Sequence, residues 1–74
     1  MKYVMVIDNY DEESPILFPE CITHRDVAGF SRLKVVSAGF CMKADGQWQA
    51  SGRSESLRVD SRTQDSEIIQ RYFK

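Results

Sequence analysis

Apolar and polar positions along this chain follow two periods, one of two residues and one near four. Lys2 to Asp8 (KYVMVID) is apolar, β-branched and free of breakers, which predicts a strand. Tyr3, Met5 and Ile7 fall on one face, Val4 and Val6 on the other, so the strand belongs in the centre of a sheet or under cover on both sides. Asn9 to Pro15 (NYDEESP) is acidic, polar and closed by proline, and reads as a loop. Ile16 to Phe18 resumes as a short strand. Pro19 ends it, because proline has no amide hydrogen for a ladder and sits at edges or strand ends. The two strands read as a hairpin.

Thr23 to Leu33 (THRDVAGFSRL) carries a helical signal. Thr23 is a ready N-cap, Asp26 fills the acidic capping-box position, and Val27, Phe30 and Leu33 recur at a spacing of three. Gly29 costs about 1 kcal/mol relative to alanine, which favours a short helix. Lys34 to Lys43 then alternates, with Val36, Ala38, Phe40 and Met42 on one face and Val35, Ser37, Gly39 and Cys41 on the other. The turn of a second hairpin lies at Ala44-Asp45-Gly46. A two-residue Asp-Gly turn pairs Met42 with Gln49 and puts Trp48 on the face of Cys41 and Lys43. A three-residue loop instead sets Met42 against Trp48 and Phe40 against Ala50. The second register gathers every large apolar group on one face and is the one expected.

After Gly52 the chain turns polar, and Leu57-Arg58-Val59 alternates as a third strand or an extended arm. Ser61 to Lys74 (SRTQDSEIIQRYFK) gives the best helical signal. Ser61 or Thr63 can cap it, Asp65 and Glu67 suit its first turns, and Arg71 and Lys74 suit its last. Ile68, Ile69, Tyr72 and Phe73 form an apolar stripe whose natural partner is the Phe40/Met42/Trp48 face. The whole reads as a single α+β domain over residues 1–74, of order β-β-α-β-β-(β)-α. Its antiparallel sheet is small, and the C-terminal helix packs on one face.

Composition narrows the function without naming it. The chain is 42% hydrophobic and 28% charged, ordinary values for a globular domain. A chain of 74 residues has only a small core, so a disulfide, a metal or a partner subunit is a natural supplement. Cys21 and Cys41 stand alone, no secretory signal precedes them, and the apolar run at the start is far too short for a membrane span. Free thiols in a cytoplasmic protein are expected, with a Cys21–Cys41 bridge as the alternative. Net charge is −1, yet residues 1–20 set one lysine against five carboxylates, a net of −4, and residues 21–74 set nine basic residues against six acidic ones, a net of +3. The two segments either neutralise each other or present opposed patches.

Candidate chemistry is thin. Cys21 and His24 have a C-x2-H spacing, but a structural zinc site needs a second pair, and His24 reads as a surface residue at a helix start. No G-x-S-x-G or other nucleophile motif supports a Cys–His or Ser–His pair, and the acidic loop lacks the spacing of an EF-hand. No catalytic, metal or cofactor site is expected. Arg53, Arg58 and Arg62 are the best nucleic-acid candidates, although the expected register commits Trp48 to the core. Sheet edges and a minimal core favour protein contact, with Tyr10 in the acidic loop and Tyr3 or Val35 on the second sheet face as contact residues.

The phrases ILFPE (16–20), VVSAGF (35–40) and SESL…SRxxDxxII (54–69) resemble short uncharacterised proteins encoded by bacteria and their phages or mobile elements, with the same order of elements. That resemblance implies a stand-alone accessory protein and carries no catalytic residues over. The expected function is non-enzymatic binding to a protein partner or to a second copy. Nucleic-acid binding through Arg53, Arg58 and Arg62 is the alternative, and no membrane role is expected.

Overall fold

The computed structural model describes residues 1–73 and contains eight elements. They are β1 (Lys2–Ile7), β2 (Glu13–Phe18), α1 (His24–Ser31), β3 (Lys34–Ala44), β4 (Gln47–Ser51), β5 (Arg53–Ser54), β6 (Val59–Asp60) and α2 (Asp65–Tyr72). Strands β2-β1-β3-β4 form an antiparallel sheet in that order, and β5-β6 form a separate two-stranded one. The α+β architecture and the packing of the C-terminal helix on the sheet agree with the sequence reading. The Leu57-Arg58-Val59 strand does not form as expected: Leu57 and Arg58 lie in a turn, and Val59 starts β6, which pairs with β5 and leaves the main sheet unextended.

β1 is central and both its faces are buried, as its doubly apolar pattern requires. Tyr3 and Met5 join Cys41 and Ile69 in one core, with Leu17, Val36, Trp48, Ala50 and Ile68 packed around them. Val4 and Val6 join Phe18 and Ala38 in the other, flanked by Ile16, Val27, Val35, Leu57 and Val59. The sheet is thus a partition between two small cores, with α2 over the first and α1 and the β5-β6 arm over the second. The apolar alternation expected across β3 breaks at a bulge. Met5 faces Ser37 and Val6 faces Val35, which leaves Val36 as the extra residue and sends Val35 and Val36 to faces opposite those expected.

The second hairpin takes the register set aside above. Ala44 pairs with Gln47, Lys43 with Trp48, Met42 with Gln49 and Cys41 with Ala50. Asp45 and Gly46 have φ of 53° and 78°, the two positive values of a type I′ turn, whose twist matches that of the strands. The expectation failed because it asked for one apolar face. With cover on both sides, Trp48 and Ala50 turn to α2 while Phe40 turns to the side of α1.

Thr23 caps α1 as expected, its Oγ1 accepting from the Asp26 N–H at 3.1 Å. The Val27/Phe30/Leu33 stripe does not form. The helix ends at Ser31, Arg32 follows in the left-handed conformation, and Phe30 is 90% exposed. The inward face runs instead through His24, Val27, Ala28 and Ser31. Neither Ser61 nor Thr63 caps α2. Ser61 bonds the Gly52 carbonyl, Gln64 stands at the N-cap without a side-chain bond, and the Asp65 carboxylate accepts from the Arg62 N–H at 2.9 Å. Within the expected stripe, Ile69 is buried and Ile68 half-buried, while Tyr72 and Phe73 stay exposed. Lys74, expected in the last turn, lies outside the described residues.

Two glycines separate steric from conformational roles. A Cβ on Gly39 would lie 2.5 Å from the Ser51 carbonyl oxygen, a backbone atom at the end of the neighbouring strand β4 that cannot swing aside. A Cβ on Gly29 would meet nothing within 4 Å on the outer side of α1. Gly39→Ala is therefore expected to destabilise the fold by about 1–3 kcal/mol, the usual cost of overpacking. Gly29→Ala is expected to stabilise it by about 0.5–1 kcal/mol. Thermal denaturation of the two variants beside the wild type checks both signs.

Candidate functional site

The polar interior comes first, because it decides which charged residues are free to act. Asp65 is fully buried. One carboxylate oxygen accepts from the Tyr3 hydroxyl and from the Arg62 N–H, and the other accepts from Arg62 Nε at 3.0 Å. The same guanidinium grips both oxygens of Glu13 on β2. Hydrogen bonds to Glu13 push Arg62 above the usual guanidinium value, against the opposing effect of burial. Burial and then the bond to Asp65 push the Tyr3 phenol well above its ordinary value. Sequence reasoning placed Asp65 in the first turns of the last helix and missed this cluster; its partners Tyr3 and Glu13 lie too far along the chain for spacing to show.

His24 is a correction of a different kind. It is buried at the start of α1, and its Nε2 lies 2.9 Å from the Gly39 carbonyl. A carbonyl can only accept, so Nε2 carries the proton. Phe18 and Phe40 meet the imidazole edge-on, with centroids 5.4 and 5.7 Å away. Cys21 is exposed and Cys41 is buried in the core under α2, while His24 packs with Phe18 on the opposite side, so the three are not brought together. Both thiols are free, and burial pushes that of Cys41 up.

The candidate contact residues separate widely. Tyr3, proposed for a partner surface, is wholly buried and hydrogen-bonded to Asp65. Val35 is half-buried against the second core. Tyr10 is 90% exposed in the β1–β2 turn, where Asp8 Oδ1 accepts from the N–H groups of Tyr10 and Glu12. Of the three arginines, Arg62 is held by Glu13 and Asp65, and Arg53 lies 3.2 Å from Asp60 and 4.0 Å from Glu55. Arg58 alone has no carboxylate partner among the described residues. No group of three or more metal-ligating side chains gathers among those residues, and no helix there is long and apolar enough to cross a membrane.

The two sheet edges, expected as contact surfaces, differ in how far they are occupied. Pro15 sits within the edge strand β2, opposite Met5, and removes one donor there. On the other edge, the Trp48 N–H donates to Gln70 Oε1 at 2.7 Å and the Ala50 N–H to Ser66 Oγ at 2.8 Å, so α2 consumes them.

What remains open is side-chain surface. Where α1 and the β5-β6 arm stop short, Phe40 is 40% exposed and Met42 is 60% exposed. Met1 joins them, its carbonyl accepting from the Cys41 N–H at 2.8 Å. These three, with Glu20, Gln49 and Ser51, line a shallow hollow of about 190 Å³. Phe40 is a firm wall: His24 packs against its ring, and a Cβ on Gly52 would lie only 3.2 Å from it. Methionines supply the adaptable part. A wider acidic cleft of about 570 Å³ lies between the β1–β2 turn and α2, lined by residues that include Asp11, Glu12, Glu13 and Arg71. No family model, curated protein or solved structure matches the chain.

The buried cluster has a pH signature. A folded phenol raised above its unfolded value contributes stability that is fully present below about pH 10 and is lost as the pH rises beyond it. Urea denaturation from pH 8 to 12 is expected to show a falling midpoint above pH 10 in the wild type. In Tyr3→Phe the decline is expected to be much flatter, from a starting point about 1–2 kcal/mol lower because Asp65 loses a donor. Parallel declines in the two proteins would exclude Tyr3 as the cause.

Proposed function

We propose that this chain is a non-enzymatic accessory protein that binds a protein partner, of the bacterial and phage kind its phrases resemble, and that it works in the cytoplasm. The observation carrying this reading is the open hollow of Met1, Phe40 and Met42, an apolar surface with one firm aromatic wall and two flexible thioethers. It suits an apolar side chain from a partner segment, with Glu20 and Gln49 at the rim for polar contact. Backbone pairing is a poorer route, since Pro15, Ser66 and Gln70 occupy the edges. An exposed free thiol at Cys21 suits a reducing compartment. Nucleic-acid binding has less support, because two of its three arginines are engaged with carboxylates.

Met42→Glu introduces a charge into the hollow at an exposed position, so folding stability is expected to change by no more than about 0.5 kcal/mol. A photo-crosslinking side chain at position 42 in the native host is expected to trap a partner protein, and the adduct is expected to disappear when Phe40 is also changed to serine. Adducts that persist in the Phe40→Ser background, with folding intact, would sink the assignment to this hollow.

A further inference from the structure

A second surface lies at the far end of β1 from that hollow. The β1–β2 turn and the α1–β3 junction lie side by side there, and Asp8, Asp11, Arg32, Leu33 and Lys34 line one hollow of about 430 Å³. Residues 8–13 carry four carboxylates, of which Glu13 is held by Arg62, and no cation; Arg32 and Lys34 follow the C-terminal end of α1, while Arg25 and Asp26 in its first turn share a hollow with Phe30 and Arg32. Despite their proximity, no ion pair joins the two groups among the described residues, where the ion pairs all involve Arg53 or Arg62. Two aromatic side chains, Tyr10 in the acidic turn and Phe30 beside Arg25 and Arg32, are each 90% exposed. Leu33 is exposed between the two groups.

Arg32 adds a backbone observation. It closes α1 with φ of 57°, a position that favours glycine or asparagine. Arginine there gives up local stability, and nothing among the described residues returns it through an ion pair.

We propose that two copies of this chain associate across a two-fold axis at this end, the acidic Tyr10 turn of each resting on the Phe30/Arg32 helix end of the other. A surface carrying both members of a complementary pair side by side satisfies itself twice under a two-fold rotation. Charge complementarity chooses the occupant. A phosphate backbone would meet Asp11, Glu12 and Asp26 beside the same arginines, whereas the acidic turn of a second copy brings carboxylates and an aromatic ring together. This surface is separate from the Met42 hollow, and Met42→Glu leaves the association unchanged, so either assignment can fail alone.

Sedimentation equilibrium on the full chain is the test. The mass is expected to rise with concentration from one chain to two, and association is expected to weaken as salt is raised. Arg32→Gly removes the charge and relieves the backbone, so it is expected to melt no lower than the wild type while associating about tenfold more weakly or worse. Arg32→Glu and Asp11→Lys should each be monomeric alone and recover a two-chain mass when mixed, because only the mixed pair is complementary at both contacts. The proposal is overturned by a single-chain mass at millimolar concentration, by growth beyond two chains, or by association that Arg32→Gly leaves intact. Retention of a labelled single-stranded oligonucleotide by the wild type that is lost in Phe30→Ala would overturn it in favour of a nucleic-acid surface.

Discussion

A carboxylate without water is the constraint on which this fold turns. A buried charge is costly unless every lone pair is matched, and Asp65 is matched by a phenol, a guanidinium and a backbone amide. Those donors come from the first strand and from the residues leading into the last helix, and Glu13 on the edge strand completes the set. Three parts of the chain remote in sequence must therefore arrive together. The arrangement decides where α2 begins and how it lies across the sheet, and hence whether Ser66 and Gln70 reach the amides of β4. Removing one member leaves its partners short of a bond inside the fold, so the members depend on one another.

Much of the architecture is legible from short-range chemistry. Two apolar faces on β1 announce a central strand, Thr23 announces a cap, and Asp45-Gly46 announces a tight turn. The failures share one cause, a search for the largest apolar residues on one face. The sheet has cover on both sides, so the second hairpin had no need to segregate Phe40 and Met42 with Trp48, and the turn's own preference for two left-handed residues prevailed. In α1 the inward positions are buried His24 and half-buried Val27, Ala28 and Ser31, and apart from Val27 hydropathy ranks them below Phe30 and Leu33. A histidine that buries itself against two phenylalanines and a carbonyl leaves no periodic trace.

The candidate surfaces were less legible than the fold. Tyr10 stands where an acidic loop should put it. Tyr3 was attractive as an aromatic on the second face, but its hydroxyl is committed to Asp65. Arg62 looked like a free cation because its carboxylate partners lie on another strand and at the start of a helix. Phe40 and Met42 were assigned to the core, and their exposure followed once the register shifted by one residue. Surface and interior exchange places with that single step, which is the general hazard of a period-two pattern.

The bonds from Ser66 and Gln70 to β4 have a consequence for synthesis. On a ribosome, the turn at Asp45-Gly46 emerges well before the residues that satisfy Trp48 and Ala50, which lie 22 and 16 positions beyond them respectively. For that interval the hairpin carries two bare donors beside a half-covered indole. A neighbouring nascent chain offers them carbonyls as readily as the helix does later. Rapid closure of α2, and not only final stability, thus governs how much newly made protein escapes pairing with the wrong strand.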